Sequence, residues 1–517
     1  MIAIFLTIVL LVYYLYHLSI KNLDYWEKRN VPNIKPSPLV GNYAPYILLK
    51  QCSGELVQQL CNHYPFAPYI GVFFGTNPTL IIQDPAMIKL VLSKDFYYFS
   101  GRENSEYSNM DPFLGSLFFA TGDTWKVLRQ HFGPIFSSNI NTMFETFKQS
   151  AVSFEKMLHE EINSDSVEVR SCLLRFLLNG TGNCMLGIDI NSLDKDWRNN
   201  PFVRLFDIMF ETTNGRGMRN IGRSVYPKYF YPMGLRNLPD VVPKFYQNYL
   251  QNMFDANSSV KKCSFTDLLR KMNKDRILVG DSFDNLKGGN NKAIIKVSDQ
   301  LILAQCMVLS STGLESVSAT LSFVLYEIAK HSDVQDKVVQ EINEFLNNHD
   351  NKLNIECLTE LPYLKACIEE TMRLYPIVGI LKREVTHPYS LPCGAVLDKG
   401  VRIHIPAYHI HHSPRYFPGP EEFKPERFLA ENRKRIVPYT YFAFGEGPRN
   451  CIGIRFAKMQ MILALMTILK RYRMELPDDM PKKLEFTAAS VVTQPSKKIT
   501  LKFVQREGWQ QRVFAVS

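Results

Sequence analysis

The stretch FGEGPRNCIG, Phe444 to Gly453, holds one cysteine, three glycines, one proline and one arginine in ten residues. Glycines let a backbone turn tightly and approach a flat object closely, and Pro448 fixes its own φ and stiffens the loop. Apolar residues follow at helical spacing, Ile454, Ala457, Met461, Leu465 and Ile468. Cys451 therefore arrives at a helix mouth, where free N–H groups and the positive dipole end favour a thiolate. The local chemistry is a rigid loop presenting one sulfur anion, with Arg449 beside it for an anionic group. Thiolate on iron suits such a loop; the bland alternative is a buried, inert cysteine.

The same ten residues resemble the haem-binding signature of the cytochrome P450 monooxygenases, F-x-x-G-x-R-x-C-x-G, matched at Phe444, Gly447, Arg449, Cys451 and Gly453. The resemblance implies a mainly α fold with small β-sheets, the cytochrome P450 fold, and haem b with Cys451 as axial ligand. Phe444, Gly445 and Arg449 then belong to the cofactor site.

Working back along the chain, LPYLKACIEETMRLYP places Glu370 and Arg373 three apart on one helix face. Exposed, such a pair contributes only tenths of a kcal/mol. In the family this E-x-x-R is buried and clamped by an arginine of a later P-E-R-F loop, here Arg427. Arg383 aligns with a family arginine that meets a haem propionate. Upstream, Trp125 and Arg129 stand at i and i+4, and the family sends both to a propionate; Arg102 in the preceding loop is a third contact of that kind.

A helical pattern of unusual length runs from about Val297 to Lys330. Gly313 and Glu315 interrupt its apolar middle, at a cost in backbone entropy and charge burial. Such a local inconsistency marks a functional position. The family has A-G-x-[DE]-T here, a groove where dioxygen sits over the iron; this chain reads Thr312-Gly313-Leu314-Glu315-Ser316. Glu315 and Ser316 are expected to relay protons through water. Thr312 replaces an alanine and adds a hydroxyl beside the oxygen site. Ser316 replaces a threonine and loses the methyl that fixes its rotamer, which puts coupling efficiency in doubt.

At the other end, Ile2 to Ile20 is almost unbroken apolar and aromatic, long enough to cross a bilayer. It lacks the basic lead-in and small-residue site of a cleaved signal. Lys21, Lys28, Arg29 and Lys35 follow it, so the bulk of the chain is expected on the cytoplasmic side. The division is residues 1–20 as anchor, 21–42 as a basic, proline-rich hinge acting as a semi-rigid spacer, and 43–517 as the catalytic domain. In a reducing compartment the ten cysteines stay thiols, and the sequons at Asn179 and Asn257 are chance matches. The net charge of +10 suits an anionic membrane or an acidic protein partner; no module argues for nucleic acid.

Residues 67–83 read as two short strands around Gly-Thr-Asn-Pro. Residues 200–260 read as two helices joined by an aromatic, basic loop, SVYPKYFYPMGLRNLP, and residues 280–292 as loop. His404, His409, His411 and His412 lack the spacing of a zinc site.

The leading reading is a haem-thiolate monooxygenase of the endoplasmic reticulum membrane. It acts on a lipophilic xenobiotic, hormone or lipid, and the sequence resembles the insect microsomal branch. Electrons come from NADPH-cytochrome P450 reductase, with cytochrome b5 as a second donor, docking on Lys126, Arg433, Lys434, Arg435, Arg455 and Lys458. Two other readings stay open: a haem-thiolate isomerase or dehydratase, and a non-catalytic membrane-tethered binder of apolar ligands.

Overall fold

Ser298 opens the longest helix, its side chain accepting the Leu301 N–H at 3.2 Å. The computed structural model describes residues 2–162, 166–392 and 394–515; within Ile2–Ile20 the side chains at 3, 4, 7–9, 11, 12, 15 and 18 lie outside the described residues. From Asp299 the helix runs 32 residues to Lys330. It is buried on nearly all sides against the helices Val169–Thr181, Val241–Phe254, Pro362–Leu374 and Ile454–Leu469. Its hydroxyls are turned inward onto its own backbone: Ser310 donates to the Cys306 carbonyl at 2.6 Å, Thr312 to Val308 at 2.6 Å and Thr320 to Ser316 at 2.8 Å. Polar side chains thereby survive burial in an apolar core.

The helix after the cysteine loop, Ile454–Leu469, is buried all round from Met459 onward. It is a core helix rather than a surface one. Each fully buried Leu, Ile or Met there contributes about 1.5–3 kcal/mol relative to exposure.

A four-stranded sheet stands beside this helical body. Its order is Tyr69–Phe74, Asn77–Ile82, Arg402–Ile405, Leu381–Glu384. The first two form the expected hairpin, Tyr69 opposite Ile82, turning at Gly75 with φ +65°. Arg402–Ile405 pairs parallel to the second strand and antiparallel to Leu381–Glu384.

The segment 21–42 makes contacts with this sheet. Trp26 is fully buried and donates its indole N–H to the Val72 carbonyl at 2.9 Å, and the Gly71 N–H donates to Pro32 at 2.7 Å. A Cβ at Gly71 would stand 2.4 Å from the Trp26 ring, so only glycine admits that docking.

Two local readings are corrected. Residues 200–260 hold four helical pieces, Pro201–Met209, Asn214–Val225, Pro227–Phe230 and Val241–Phe254, not two. Pro227–Phe230 falls inside the joining loop; before it comes Asn214–Val225. It is fixed by Arg216, whose guanidinium caps the Ile208 and Met209 carbonyls of the preceding helix and reaches Asn237. The polar stretch 280–292 joins a hairpin, Ile277–Asp281 with Lys292–Lys296, across a short turn of helix, Phe283–Lys287.

Among the described residues, the one helix long and apolar enough to cross a membrane by length and composition is Asp299–Lys330, and it is the buried core helix. Ile2–Ile20 is a 19-residue helix on which Ile2, Phe5, Leu6, Leu10, Tyr13, Tyr14 and Tyr16 are exposed. Asn179 is buried, accepting from Ser150 at 2.7 Å and donating to Asp189 at 3.1 Å, so it is closed to glycosylation in any compartment.

Candidate active site

The cysteine loop is closed by the Cys451 N–H donating to the Phe444 carbonyl at 2.8 Å. Gly445 and Gly447 both take positive φ, +71° and +73°. At Gly447 a Cβ would lie 1.9 Å from the Leu92 carbonyl oxygen, so the loop seats against Leu90–Lys94 only as glycine. Cys451 precedes the helix start at Ile454 by three residues.

Of the nine described cysteines Cys451 is the exposed one, and no two are bridged; Cys393 lies outside the described residues. Protein surrounds the sulfur closely enough that burial raises its thiol pKa, with the Gly453 N–H and Arg129 pulling it back. The expectation of a free thiolate at a helix mouth is thus corrected: in the protein alone desolvation wins, and the anion calls for a cation bound to sulfur.

Four arginines gather beside the loop. Arg129 is fixed by Asn450, donating to its carbonyl at 2.9 Å and its side-chain oxygen at 2.7 Å. Arg449 donates to the Phe118 carbonyl at 3.4 Å and to Ala120, and its guanidinium lies 4.8 Å from the centre of the Trp125 ring. Trp125 is buried and packs on Phe96 and Phe283. Arg383 is buried with one hydrogen bond, to Lys382, and Arg102 lies 4.2 Å over the Phe118 ring.

Their Nε groups tell more. Those of Arg102, Arg383 and Arg449 are buried without a hydrogen-bond partner. Burial lowers the pKa of Arg449 well below the ordinary value, and Arg102, Arg383 and Arg129 lower it further by repulsion. Arg383 is lowered by burial and by Arg102, and Arg102 to about 10, chiefly by burial. Among the described residues no carboxylate forms an ion pair with any of the four. Like charges packed this way are unfavourable unless an anion joins them. A haem presents its iron and two propionates together, and the Cys451 sulfur with these donors fits that group.

Near its middle the central helix exposes Thr312 and Gly313, while their neighbours Ser311, Leu314 and Glu315 are buried. A Cβ built at Gly313 meets nothing within 4 Å. Ser316 donates to the Thr312 carbonyl at 3.0 Å. Glu315 turns away from that hydroxyl and shares no hydrogen bond with it. Its carboxylate is gripped by Arg170 on one oxygen and by the Gln494 amide on the other. Burial raises its pKa, against the pull of Arg170 and Gln494.

Behind the site, Glu370 and Arg373 are fully buried and joined by two 2.8 Å bonds, Nε to Oε2 and Nη2 to Oε1. Arg427 reaches Glu370 at 3.2 Å. Arg373 also donates to the carbonyls of His411 and Pro420, each at 2.8 Å, and so ties the segment before the cysteine loop to its helix.

Sequence reasoning missed Asn450, Arg170, Gln494 and Phe118. Asn450 stood inside the signature but at one of its unspecified positions; the other three carry no local pattern. Also missed was a second charged cluster, in which Glu103 meets Lys382 at 3.4 Å, Arg402 at 3.9 Å and His404 at 3.7 Å. His404 donates to or accepts from Tyr43 at 2.7 Å, and burial lowers its pKa to about 4. It is a neutral core histidine. No group of metal-ligating side chains occurs among the described residues.

Comparison with known proteins adds to this geometry. The cytochrome P450 family pattern matches residues 31–503. The chain is 29% identical over 508 residues to cytochrome P450 6B7 of Helicoverpa armigera, covering 97% of this chain and 98% of that one. It is 30% identical over 501 residues to cytochrome P450 6a8 of Drosophila melanogaster, covering 95% and 96%. With cytochrome P450 9e2 of Blattella germanica it shares 31% over 492 residues, covering 90% and 91%. Matched by the family pattern over residues 31–503, and 31% identical to a relative over 90% of its length, the chain belongs to the cytochrome P450 family.

Proposed function

We propose that the protein is a haem-thiolate monooxygenase that places one atom of O2 in a lipophilic small molecule. The other atom leaves as water, with two electrons from NADPH through a reductase. The observation that carries this reading is the arginine cluster, without an ion-paired acid among the described residues, beside the exposed Cys451.

Cys451 holds the iron, and Arg102, Arg129, Arg383 and Arg449 hold the propionates, with Trp125 as the floor under Arg449. Bound there, the haem supplies oxygen activation, its electron-rich thiolate ligand favouring O–O cleavage. The chain's part is to position substrate, exclude bulk water and move protons. Ser316 keeps its hydrogen on the Thr312 carbonyl, leaving its oxygen lone pairs to accept a proton donor in the cleft. Burial raises the Glu315 pKa, and exchanging Gln494 for water would let it take part in proton transfer. Thr312 adds a second hydroxyl, tied to Val308, at the cleft wall.

The exposed apolar residues of Ile2–Ile20 support a membrane anchor, with the rest of the chain on the cytoplasmic face of the endoplasmic reticulum. Lys434, Arg435 and Arg455 are exposed near the cysteine loop and suit an acidic reductase. Arg433 and Lys458 are already taken by Glu369.

The test is reconstitution with NADPH-cytochrome P450 reductase under 18O2 and a panel of lipophilic compounds. One labelled oxygen per product, with NADPH consumed, is expected. NADPH-independent rearrangement of organic hydroperoxides would instead mean an isomerase.

A further inference from the structure

One fully buried amide of the central helix is turned toward a neighbouring segment of chain. Gln305 has no solvent exposure. Its side-chain carbonyl accepts the Leu117 N–H at 2.8 Å, and its NH2 group donates to the Gly115 carbonyl at 3.0 Å and to the Leu301 carbonyl at 3.1 Å. Both ends of the amide therefore grip the segment 115–117, one through an N–H and one through a C=O. A side-chain amide, acceptor on one side and donor on the other, matches that pair in a single orientation.

Just beyond this grip the chain turns on itself. The Ser116 carbonyl accepts the Phe119 N–H at 3.0 Å and the Ala120 N–H at 2.8 Å. The far end of the turn is held from the cysteine loop, where Arg449 donates to the Phe118 carbonyl at 3.4 Å and to Ala120. The turn is thus strung between two anchors, Gln305 on the central helix and Arg449. Leu117 and Phe119 are buried, while Phe118 between them is 44% exposed. Its ring packs edge-on against Phe119 at 4.8 Å and lies 4.2 Å from the Arg102 guanidinium. One exposed aromatic ring therefore stands beside the arginine cluster, on a turn with neither end free.

We propose that Gln305 is a positioning residue: by fixing residues 115 and 117 it sets where the Phe118 ring stands, and so which ligands fit beside the haem. This rests on the haem-thiolate reading and adds a determinant of selectivity to it. Gln305 touches no ligand itself and acts through Phe118. Removing its amide frees the first end of the turn while Arg449 still holds the second, so the ring loses its fixed place. The effect falls on ligands large enough to meet the ring and spares smaller ones. Loss of one aromatic pair changes affinity by roughly two- to tenfold.

The test is a double-mutant cycle on the full-length haem-loaded protein. Imidazole and 1-phenylimidazole are the probes, with affinities read from the shift of the ferric Soret band. Both bind iron through the same kind of ring nitrogen, so the ratio of their affinities isolates the phenyl group. Gln305→Leu is expected to lower the 1-phenylimidazole to imidazole ratio by about threefold or more, with imidazole itself changed by less than about twofold. Phe118→Ala should lower the ratio similarly, and adding Gln305→Leu to it should change nothing further. Gln305→Glu keeps the acceptor for the Leu117 N–H and should retain part of the ratio; it carries the same cycle if Gln305→Leu takes up no haem. An unchanged ratio, equal weakening of both probes, or the same effect of the Gln305 substitution with and without Phe118 overturns the proposal. Failure of the underlying reading has a different signature: no Soret band even in the unaltered chain, while hydrogen exchange across residues 115–120 still reports loss of the Gln305 grip.

Discussion

The strand Leu381–Glu384 separates two collections of buried charge that differ in one respect. Gly101 accepts the Glu384 N–H at 3.0 Å, so residues 101–103 run alongside the strand. The pleat sends Arg383 to one face and Lys382 and Glu384 to the other. On the far face Lys382, Arg402 and His404 converge on Glu103, whose carboxyl is held well below the usual range despite its burial. On the other face Arg383 meets Arg102 and Arg449, and among the described residues no carboxylate forms an ion pair with them. The far face is balanced by the chain itself. The other face lacks such an acid among the described residues, and a bound anion would supply the missing charge.

The comparison can be broken in several ways. The largest effect is expected at the third cluster, which is balanced and deepest. Glu370→Gln leaves Arg373 and Arg427 without an anion and should cost about 3–5 kcal/mol, measured by denaturant unfolding of the haem-loaded protein.

Next come the two faces of the strand, with opposite signs. Glu103→Gln should destabilise the protein by about 2–3 kcal/mol with or without haem, because it strands Lys382 and Arg402. Arg383→Met should stabilise the haem-free chain by about 1–3 kcal/mol by removing an unpaired buried charge. It should also speed haem loss to apomyoglobin by roughly tenfold or more. If both substitutions destabilise the haem-free chain alike, the distinction between the faces fails.

The smallest effect is in pH. Burial raises the Glu384 pKa from 4.5 to about 7. The folded state then binds this proton more tightly than the unfolded state. The contribution is fully present below pH 4.5 and is lost as pH rises through about 7. Thermal unfolding between those limits should show stability falling with pH, and Glu384→Gln should flatten that slope. Glu103, with its depressed pKa, acts in the other direction, and its stabilisation disappears only as the solution becomes acid enough to protonate it.

What could be read from the sequence follows from distance along the chain. The cysteine loop, the Glu370–Arg373 pair and the central helix are each specified within a few turns, by spacing and by glycine and proline. Trp125 and Arg129 were paired by helical period. Their partners were not legible, because Arg129 is fixed by Asn450 and Glu315 by Gln494, contacts made between distant segments. Glu103 and Lys382 were invisible for the same reason, although the dipeptides Arg102-Glu103 and Lys382-Arg383 lie against each other in the sheet. The short helix Pro227–Phe230 lies inside the stretch read as loop, four residues being too few to show a helical period. The thiolate was overestimated because a helix mouth is a local feature and desolvation is not.

The central claim is that Cys451 and the acid-free arginines hold a haem through its iron and propionates. The most direct measurement is the carbon monoxide difference spectrum of the reduced full-length protein beside that of Cys451→Ala. A Soret band at the thiolate position, present in the unaltered chain and lost in Cys451→Ala, is the predicted result. A chain that takes up no haem, or one whose spectrum survives Cys451→Ala unchanged, would contradict it.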